Sequence, residues 1–498
     1  MNVRVDWRVS VGLVGTTLLY LAVPLAFPLA LAAYYGEPLL PFAVTIALAL
    51  ALGTGLDRLG QAADLHVREA LLATSLIWVL VAVIGAVPFV VAGDGAIAHP
   101  LNALFESMSG ITTTGATVIL DFDAHTRSIL MWRQLIQWLG GLGILILATA
   151  VLSDVGVGGA QLMESETWTP TVQKLTPRIA ETAQILFRLY AAITGGVVAV
   201  LFSLHLAGVA PNMGLYNAVA HAFSSVSTAG FSPEPLSAGA FTPAAQWVLL
   251  AAMLVGGTSF VLIYLTLTED LRRPLENEEF RFYLGVVAGA TLLVGAALLF
   301  DPSIPFAGEA TVRHALFNTV SILTTTGYAS TDFNLWSAAA KHVLFACMFV
   351  GAMVGSTTCS IKTLRWLVVV KAFRRDLFTT VRPDAVSPVR IGGSAIDEES
   401  IRDVYGFVLL SILFVFGLTV FVVVDAARVG LAVSEFEALS AAASTFLNIG
   451  PAFGLAGPYA SYHAFPPTTK AAMILLMWLG RVEIIPALVL FTSAFWTR

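Results

Sequence analysis

Along this chain, long apolar stretches alternate with shorter, more polar ones. Ten stretches, at about 10–33, 39–57, 69–93, 128–152, 179–207, 242–268, 281–300, 337–370, 403–425 and 469–496, reach the roughly 20 predominantly apolar residues that a helix needs to cross the hydrocarbon of a bilayer. After the first two, a shorter segment lies inside each successive pair, so the order is long helix, short segment, long helix, four times over. Non-helical backbone at membrane depth persists only where it is buried in protein or lines water. Four re-entrant loops around one axis meet both conditions. The pattern therefore predicts an all-α integral membrane protein of four pseudo-symmetric helix–re-entrant pore loop–helix repeats plus two N-terminal transmembrane helices. The expected divisions are two leading helices over 1–62, pore repeats over 63–160, 161–275 and 276–380, and a cytoplasmic link with the fourth repeat over 381–498.

The short segments repeat one another. They run from Asn102 to Gly115, Asn217 to Gly230, His314 to Gly327 and Glu437 to Gly450, each 13 steps long, with Ala second (Ala103, Ala218, Ala315, Ala438) and Ser six residues before the glycine (Ser109, Ser224, Ser321, Ser444). The residues leading into the glycines are small or polar: Thr113-Thr114, Thr228-Ala229, Thr325-Thr326 and Asn448-Ile449.

Composition agrees with a membrane protein. Hydrophobic residues are 57% of the 498 and charged ones 12%, which excludes an ordinary soluble enzyme. The net charge of −6 forms no basic cluster for nucleic acid. Cys347 and Cys359 are the only cysteines and share one apolar stretch, so they read as packing residues rather than a disulfide or a metal site. The first apolar stretch runs to Ala33 without a small-residue cleavage site, which predicts a retained helix. Most Lys and Arg, among them Arg4, Arg58, Lys174, Arg178, Arg272, Lys371 and Arg390, fall at the N-terminus or between repeats. The positive-inside rule then puts the N-terminus and the links in the cytoplasm, with the loops entering from outside. Asp121, Asp123, Glu234, Glu309 and Asp332 lie on the loop side, either gathering cations at a mouth or simply solvating loops.

A short pore helix aims its partly negative C-terminal end at the axis, and the carbonyls that follow can replace a cation's hydration shell. Glycine suits a loop whose carbonyls point one way, because the required backbone angles are closed to side chains. One such glycine alone would read as a turn. Four in register predict a selectivity filter built from Thr113, Thr114, Gly115, Thr228, Ala229, Gly230, Thr325, Thr326, Gly327, Asn448, Ile449 and Gly450. Small residues recur in each second helix at Gly140, Gly256, Gly351 and Gly480, where close helix packing is the expectation. In the third repeat a run from Gly351 to Lys362, including Gly355, Ser356, Thr357, Thr358, Cys359 and Ser360, interrupts that helix at membrane depth. Two readings stay open for it: unwound backbone beneath the filter, or a helix kinked at Gly355. Arg481 takes the place of a small residue in the fourth copy, and a charge so far from either helix end is expected to face the pore or an acid.

On these motifs the chain resembles the potassium-transporting subunit of the Trk/Ktr/HKT superfamily over nearly its whole length. They are Thr112 to Thr117, Ser227 to Ser232, Thr324 to Tyr328 and Asn448 to Pro451, with Gln137 to Gly143 and Gly480 to Glu483 behind the first and fourth. The two leading helices resemble the TrkH type rather than the shorter KtrB type. The resemblance implies four covalently joined two-helix channel units with potassium at the aligned glycines. Gly115, where sodium-favouring members carry serine, implies a preference for potassium. It also implies that residues 351–362 form an intramembrane gating loop, that Lys362 and Arg481 sit at the gate, and that Arg481 opposes cation passage close below the filter. Further implications are a cytosolic TrkA-like regulatory subunit that binds the nucleotide, a homodimer of the membrane subunit and residence in the cytoplasmic membrane. The link over 371–402 is a plausible docking surface, and the chain has no dinucleotide motif or bound organic cofactor of its own. The expected function is gated potassium uptake and not catalysis. The alternative is symport with sodium or protons, for which Glu483 is the best intramembrane carboxylate.

Overall fold

The computed structural model describes residues 5–60, 66–150, 179–301, 304–305 and 307–497, so Arg4, Lys174 and Arg178 lie outside the described residues. Among the described residues the regular structure is helical, apart from a two-stranded hairpin that pairs Arg390–Ile391 with Ser394–Ala395. Two leading helices, Trp7–Tyr35 and Leu40–Leu59, pack closely, and a Cβ on Gly15 would lie 2.3 Å from the Asp57 backbone nitrogen. Four units follow. Each has a long first helix (Val67–Ala92, Ile179–Leu206, Glu278–Leu299 or Glu398–Val429), a short pore helix (Pro100–Ile111, Leu215–Val226, Glu309–Leu323 or Glu435–Phe446), an extended loop and a second helix.

The pore helices begin where the sequence supplies a start. Pro100 occupies the first turn of one, and Ser434 with Glu437 forms a capping box on another. All four end just before a non-glycine residue with positive φ, at Thr113, Thr228, Thr325 and Asn448. Among the described residues, six helices are long and apolar enough to cross a membrane, and a seventh span results if one bent pair is counted together. The protein is a multi-pass membrane protein.

Two of the expected uninterrupted segments need correction, and the interruption expected in a third is present. The stretch over 242–268 is two helices, Pro243–Gly256 and Phe260–Thr268, bent by 96°. The stretch over 337–370 is Ala338–Met348 and Thr363–Val381, joined by non-helical residues 349–362. The last, over 469–496, breaks after Pro467–Arg481, with Glu483 at φ +61° before Ile484–Val489. Hydropathy does not reveal the first and last of these breaks, because the side chains stay largely apolar while the backbone finds partners elsewhere. The first break is filled by the third unit: Met353 and Thr357 donate backbone N–H groups to Gly257 and Gly256 at 3.1 and 3.3 Å, and Phe260 N–H donates to Gly355 at 3.0 Å.

Candidate functional site

The four loops repeat one conformation. In each, the residue before the glycine donates its N–H to the carbonyl of the repeated serine: Thr114 to Ser109, Ala229 to Ser224, Thr326 to Ser321 and Ile449 to Ser444, all at 2.8–2.9 Å. The glycines then take φ of +80°, +82°, +81° and +106°, the region that favours glycine. The loops also close on one another in order. A Cβ on Gly115 would lie 2.3 Å from the Ala229 carbonyl oxygen, one on Gly230 1.8 Å from Thr326, one on Gly327 2.2 Å from Ile449 and one on Gly450 2.6 Å from Thr114. Each glycine thus abuts the carbonyl that precedes the glycine of the next loop, and the fourth returns to the first. Eight of the twelve candidate filter residues, the glycines and the residues before them, make up this ring, and Thr113, Thr228, Thr325 and Asn448 precede them with positive φ.

The packing expected of the small residues in the second helices is present. A Cβ on Gly140 would sit 1.9 Å from the Ile111 carbonyl oxygen, one on Gly256 2.9 Å from that of Val226, and one on Gly480 1.9 Å from that of Phe446. These three glycines admit the C-terminal turns of pore helices. Gly351 differs, because its neighbour is the Cys359 carbonyl of its own loop at 2.3 Å.

Residues 349–362 leave the helix altogether rather than kinking at Gly355. Gly351 N–H to Ile361 at 2.8 Å and Thr363 N–H to Ala352 at 3.1 Å tie the base of this loop. Its tip meets the inner ends of three candidate filter loops. Thr357 Oγ1 is 3.0 Å from Thr228 Oγ1, Cys359 N–H donates to Thr325 Oγ1 at 2.9 Å, and Cys359 Sγ lies 3.8 Å from Thr113 Oγ1. Both cysteines are buried free thiols, and Cys359 also makes these polar contacts. Lys362 turns back on the loop, donating to the Thr358 carbonyl and hydroxyl. Ser360 hydroxyl donates to the Met348 carbonyl at 2.7 Å, and Ser356 to Met353 at 2.6 Å.

Arg481 is 2% exposed. Its guanidinium donates to the carbonyls of Thr357 at 3.2 Å and Gly140 at 3.0 Å, touches Cys359 Sγ and lies over the Trp78 ring. Among the described residues it forms no ion pair, so the expected acid is not among its partners there, which are carbonyls of the inserted loop and of Gly140. Glu483 instead pairs with Arg365 at 2.7 Å. The acids expected near the mouth are mostly occupied locally. Asp121 and Asp332 accept backbone N–H groups two residues on, and Glu309 is held below the usual carboxylate range by its hydrogen bond from Arg313. Glu234 accepts from Asn217 and borders a cavity of about 140 Å³ with Thr117, Ser232 and Tyr459.

Sequence reasoning assigns no individual role to the polar residues behind the loops. Gln137 donates to the Ala229 carbonyl at 2.7 Å and accepts from Phe231 N–H. Glu279 accepts from Val354 N–H, Thr363 hydroxyl and Leu364 N–H at 2.8, 2.8 and 3.1 Å, joining both ends of the inserted loop. Position nine before the glycine carries Glu106, His221 and Asn318 in three of the repeats, a signal visible once the repeats are aligned. Among the described residues no cluster of His, Cys, Asp or Glu suits a bound metal ion.

Comparison with known proteins agrees with this architecture. A family model for TrkH, a cation transport protein, matches residues 41–299 and 303–497. The Trk system potassium uptake protein TrkH of Halomonas elongata is 34% identical over 498 residues, spanning 99% of each chain. That of Escherichia coli K12 is 32% identical over 460 residues, or 91% of this chain and 92% of the relative. The crystal structure of the potassium transporter TrkH from Vibrio parahaemolyticus has a TM-score of 0.88 at 29% identity, covering 99% of this chain and 100% of that one. With four pore loops in a ring and a match along almost its whole length, the chain belongs to the TrkH family of cation transport proteins.

Proposed function

We propose that this chain is the membrane subunit of a potassium uptake system, passing potassium through the ring of four loops and gated by residues 349–362. The cyclic contact of each glycine with the next loop's carbonyl carries the reading. The contact brings carbonyls of four loops together around one ring, the arrangement in which backbone oxygens replace a cation's hydration shell, and the relatives that match over nearly the full length are named potassium uptake proteins. Thr113, Thr114 and Gly115, with their counterparts in the other three loops, are the filter. Gly355 to Ser360, with Lys362 and Arg481, are the gate, because the loop tip hydrogen-bonds to the inner ends of the filter loops. Potassium is the cargo. The subunit resides in the cytoplasmic membrane with its N-terminus inside, as a homodimer on a TrkA-like cytosolic ring. The link over 371–402 supports docking, since the helix Thr363–Val381 continues past the inserted loop and exposes Phe373, Leu377 and Val381. Symport is less favoured: Glu483 is paired with Arg365, and Glu279 is committed to three donors at the loop.

The test is Gly115→Ser. A side chain there meets the Ala229 carbonyl at 2.3 Å, so the ring must shift and sodium should enter. Rubidium and sodium uptake, compared in cells lacking other potassium systems, measures it; unchanged selectivity at normal expression overturns the filter assignment. Reversal potentials in liposomes under separate potassium, sodium and proton gradients distinguish a channel from a symporter.

A further inference from the structure

The limb that follows each filter glycine is braced from behind by its own pore helix, and the first brace is unlike the others. In the second loop His221 Nε2 meets Ser232 Oγ at 3.0 Å, and in the third Asn318 donates to Ser330 Oγ at 3.0 Å and accepts from its N–H at 3.4 Å. In the fourth the corresponding position is Ala441, and Ser440 one residue earlier accepts from Phe453 N–H at 3.1 Å. In the first loop the brace is a carboxylate. Glu106 accepts from Thr117 hydroxyl at 2.8 Å and Val118 N–H at 2.9 Å, and it is 0% exposed.

That carboxylate is paired with Arg133, itself 1% exposed, at 2.7 Å. Arg133 reaches beyond its own repeat. It donates to the Ser232 carbonyl at 3.2 Å and to Thr117 Oγ1 at 3.3 Å, and its guanidinium lies 4.1 Å from the Phe231 ring centroid. A neutral side chain such as Gln donates from one amide nitrogen, whereas a planar guanidinium can serve acceptors on two separate loops from a fixed fork. Burying two charges is costly unless they are paired and hydrogen-bonded, and replacing such a pair with neutral groups is often tolerated for stability. Stability alone therefore does not account for an ion pair where the other three repeats use neutral groups.

We infer that the buried Glu106–Arg133 pair is a positioning element for selectivity, holding the limbs after Gly115 and Gly230 in register across the boundary between the first and second repeats. This rests on the reading of the four loops as the filter. The two residues do not touch the ion; they set where the carbonyls of Gly115 to Thr117 and Gly230 to Ser232 can lie. The pair is neutral as a whole, so it braces the ring without a net charge that would repel a cation.

The experiment compares four proteins, the parent, Gly115→Ser, Glu106→Gln and the double variant Glu106→Gln with Arg133→Met, by rubidium and sodium uptake per folded protein. The double variant buries no unpaired charge and keeps the test open if Glu106→Gln alone misfolds. The expected result is a rubidium-to-sodium ratio lowered about five- to tenfold in the double variant, the factor that corresponds to losing roughly one ordinary net hydrogen bond. A merely structural pair would lower expression and total flux and leave the ratio where it was. If Gly115→Ser changes the ratio and the double variant does not, the positioning role is wrong and the filter reading stands. If neither changes it, the filter reading itself falls, and this inference with it.

Discussion

Arg481→Ala is the sharpest test of the gate. The guanidinium joins the second helix of the first repeat, through the Gly140 carbonyl, to the tip of the inserted loop, through the Thr357 carbonyl, at 3.0 and 3.2 Å. A hydrogen bond from a charged donor contributes about 1.5–3 kcal/mol. If both bonds exist only while the loop obstructs the pore, their loss shifts the closed-to-open balance by roughly 3 kcal/mol or more, a factor on the order of 100. The resting open fraction sets how much of that factor appears as flux. Removing a fixed positive charge from a low-dielectric path acts in the same direction. Since Arg481 forms no ion pair among the described residues, its removal strands no carboxylate. The stability cost should then be that of the two lost hydrogen bonds, roughly 3 kcal/mol, at the lower edge of the roughly 3–5 kcal/mol expected when a buried ion pair loses one partner. Rubidium flux per folded protein in liposomes and the melting temperature in detergent are measured on the same preparation, with the Gly115→Ser selectivity assay as control. Raised flux with parental selectivity is the expected outcome. A flux at or below the parent's, in a protein that has clearly lost stability, would refute the barrier and leave Arg481 as a structural residue.

Three further outcomes are expected. Glu279→Gln removes the charge from the acceptor shared by Val354, Thr363 and Leu364, so basal flux should rise several-fold with selectivity intact, measured in the same liposome assay. Deleting part of Gly355 to Ser360 should raise basal flux further and weaken its dependence on the proposed cytosolic partner; low flux in a correctly folded deletion would count against the loop as the gate. Gly480→Ala places a Cβ 1.9 Å from the Phe446 carbonyl oxygen, so the fourth pore helix must move. A loss of about 1–3 kcal/mol is expected, read as a lower melting temperature.

Much of this protein is legible in its amino-acid sequence, because the relevant signals are local. Apolar length reports on the bilayer, and it marks the two leading helices and the four first helices well. The four glycines are legible because each solves the same backbone problem, a positive φ after a short helix, and an internal repeat exposes that without a second sequence. The run from Gly351 to Lys362 stands out because small and hydroxylated residues are unusual in a membrane helix. Arg481 stands out because a buried charge is costly. Arg133 obeys the same logic but escapes notice, lying near the start of an apolar stretch where a charge reads as an anchor.

What only the tertiary structure decided are the matters settled by groups far apart in the chain. The bend between Gly256 and Phe260 depends on backbone partners at Met353, Gly355 and Thr357, about a hundred residues away, and no periodicity within 242–268 encodes it. Glu483 reads as available for proton coupling from the sequence, yet it is paired with Arg365, 118 positions distant. The order of the ring, each glycine against the next loop's carbonyl and the last against the first, follows from closing four units around one axis. Sequence could supply four equivalent loops, because each is made by its own helix and glycine. Only packing them together could determine which carbonyl each glycine meets, and which buried charges hold the loops there.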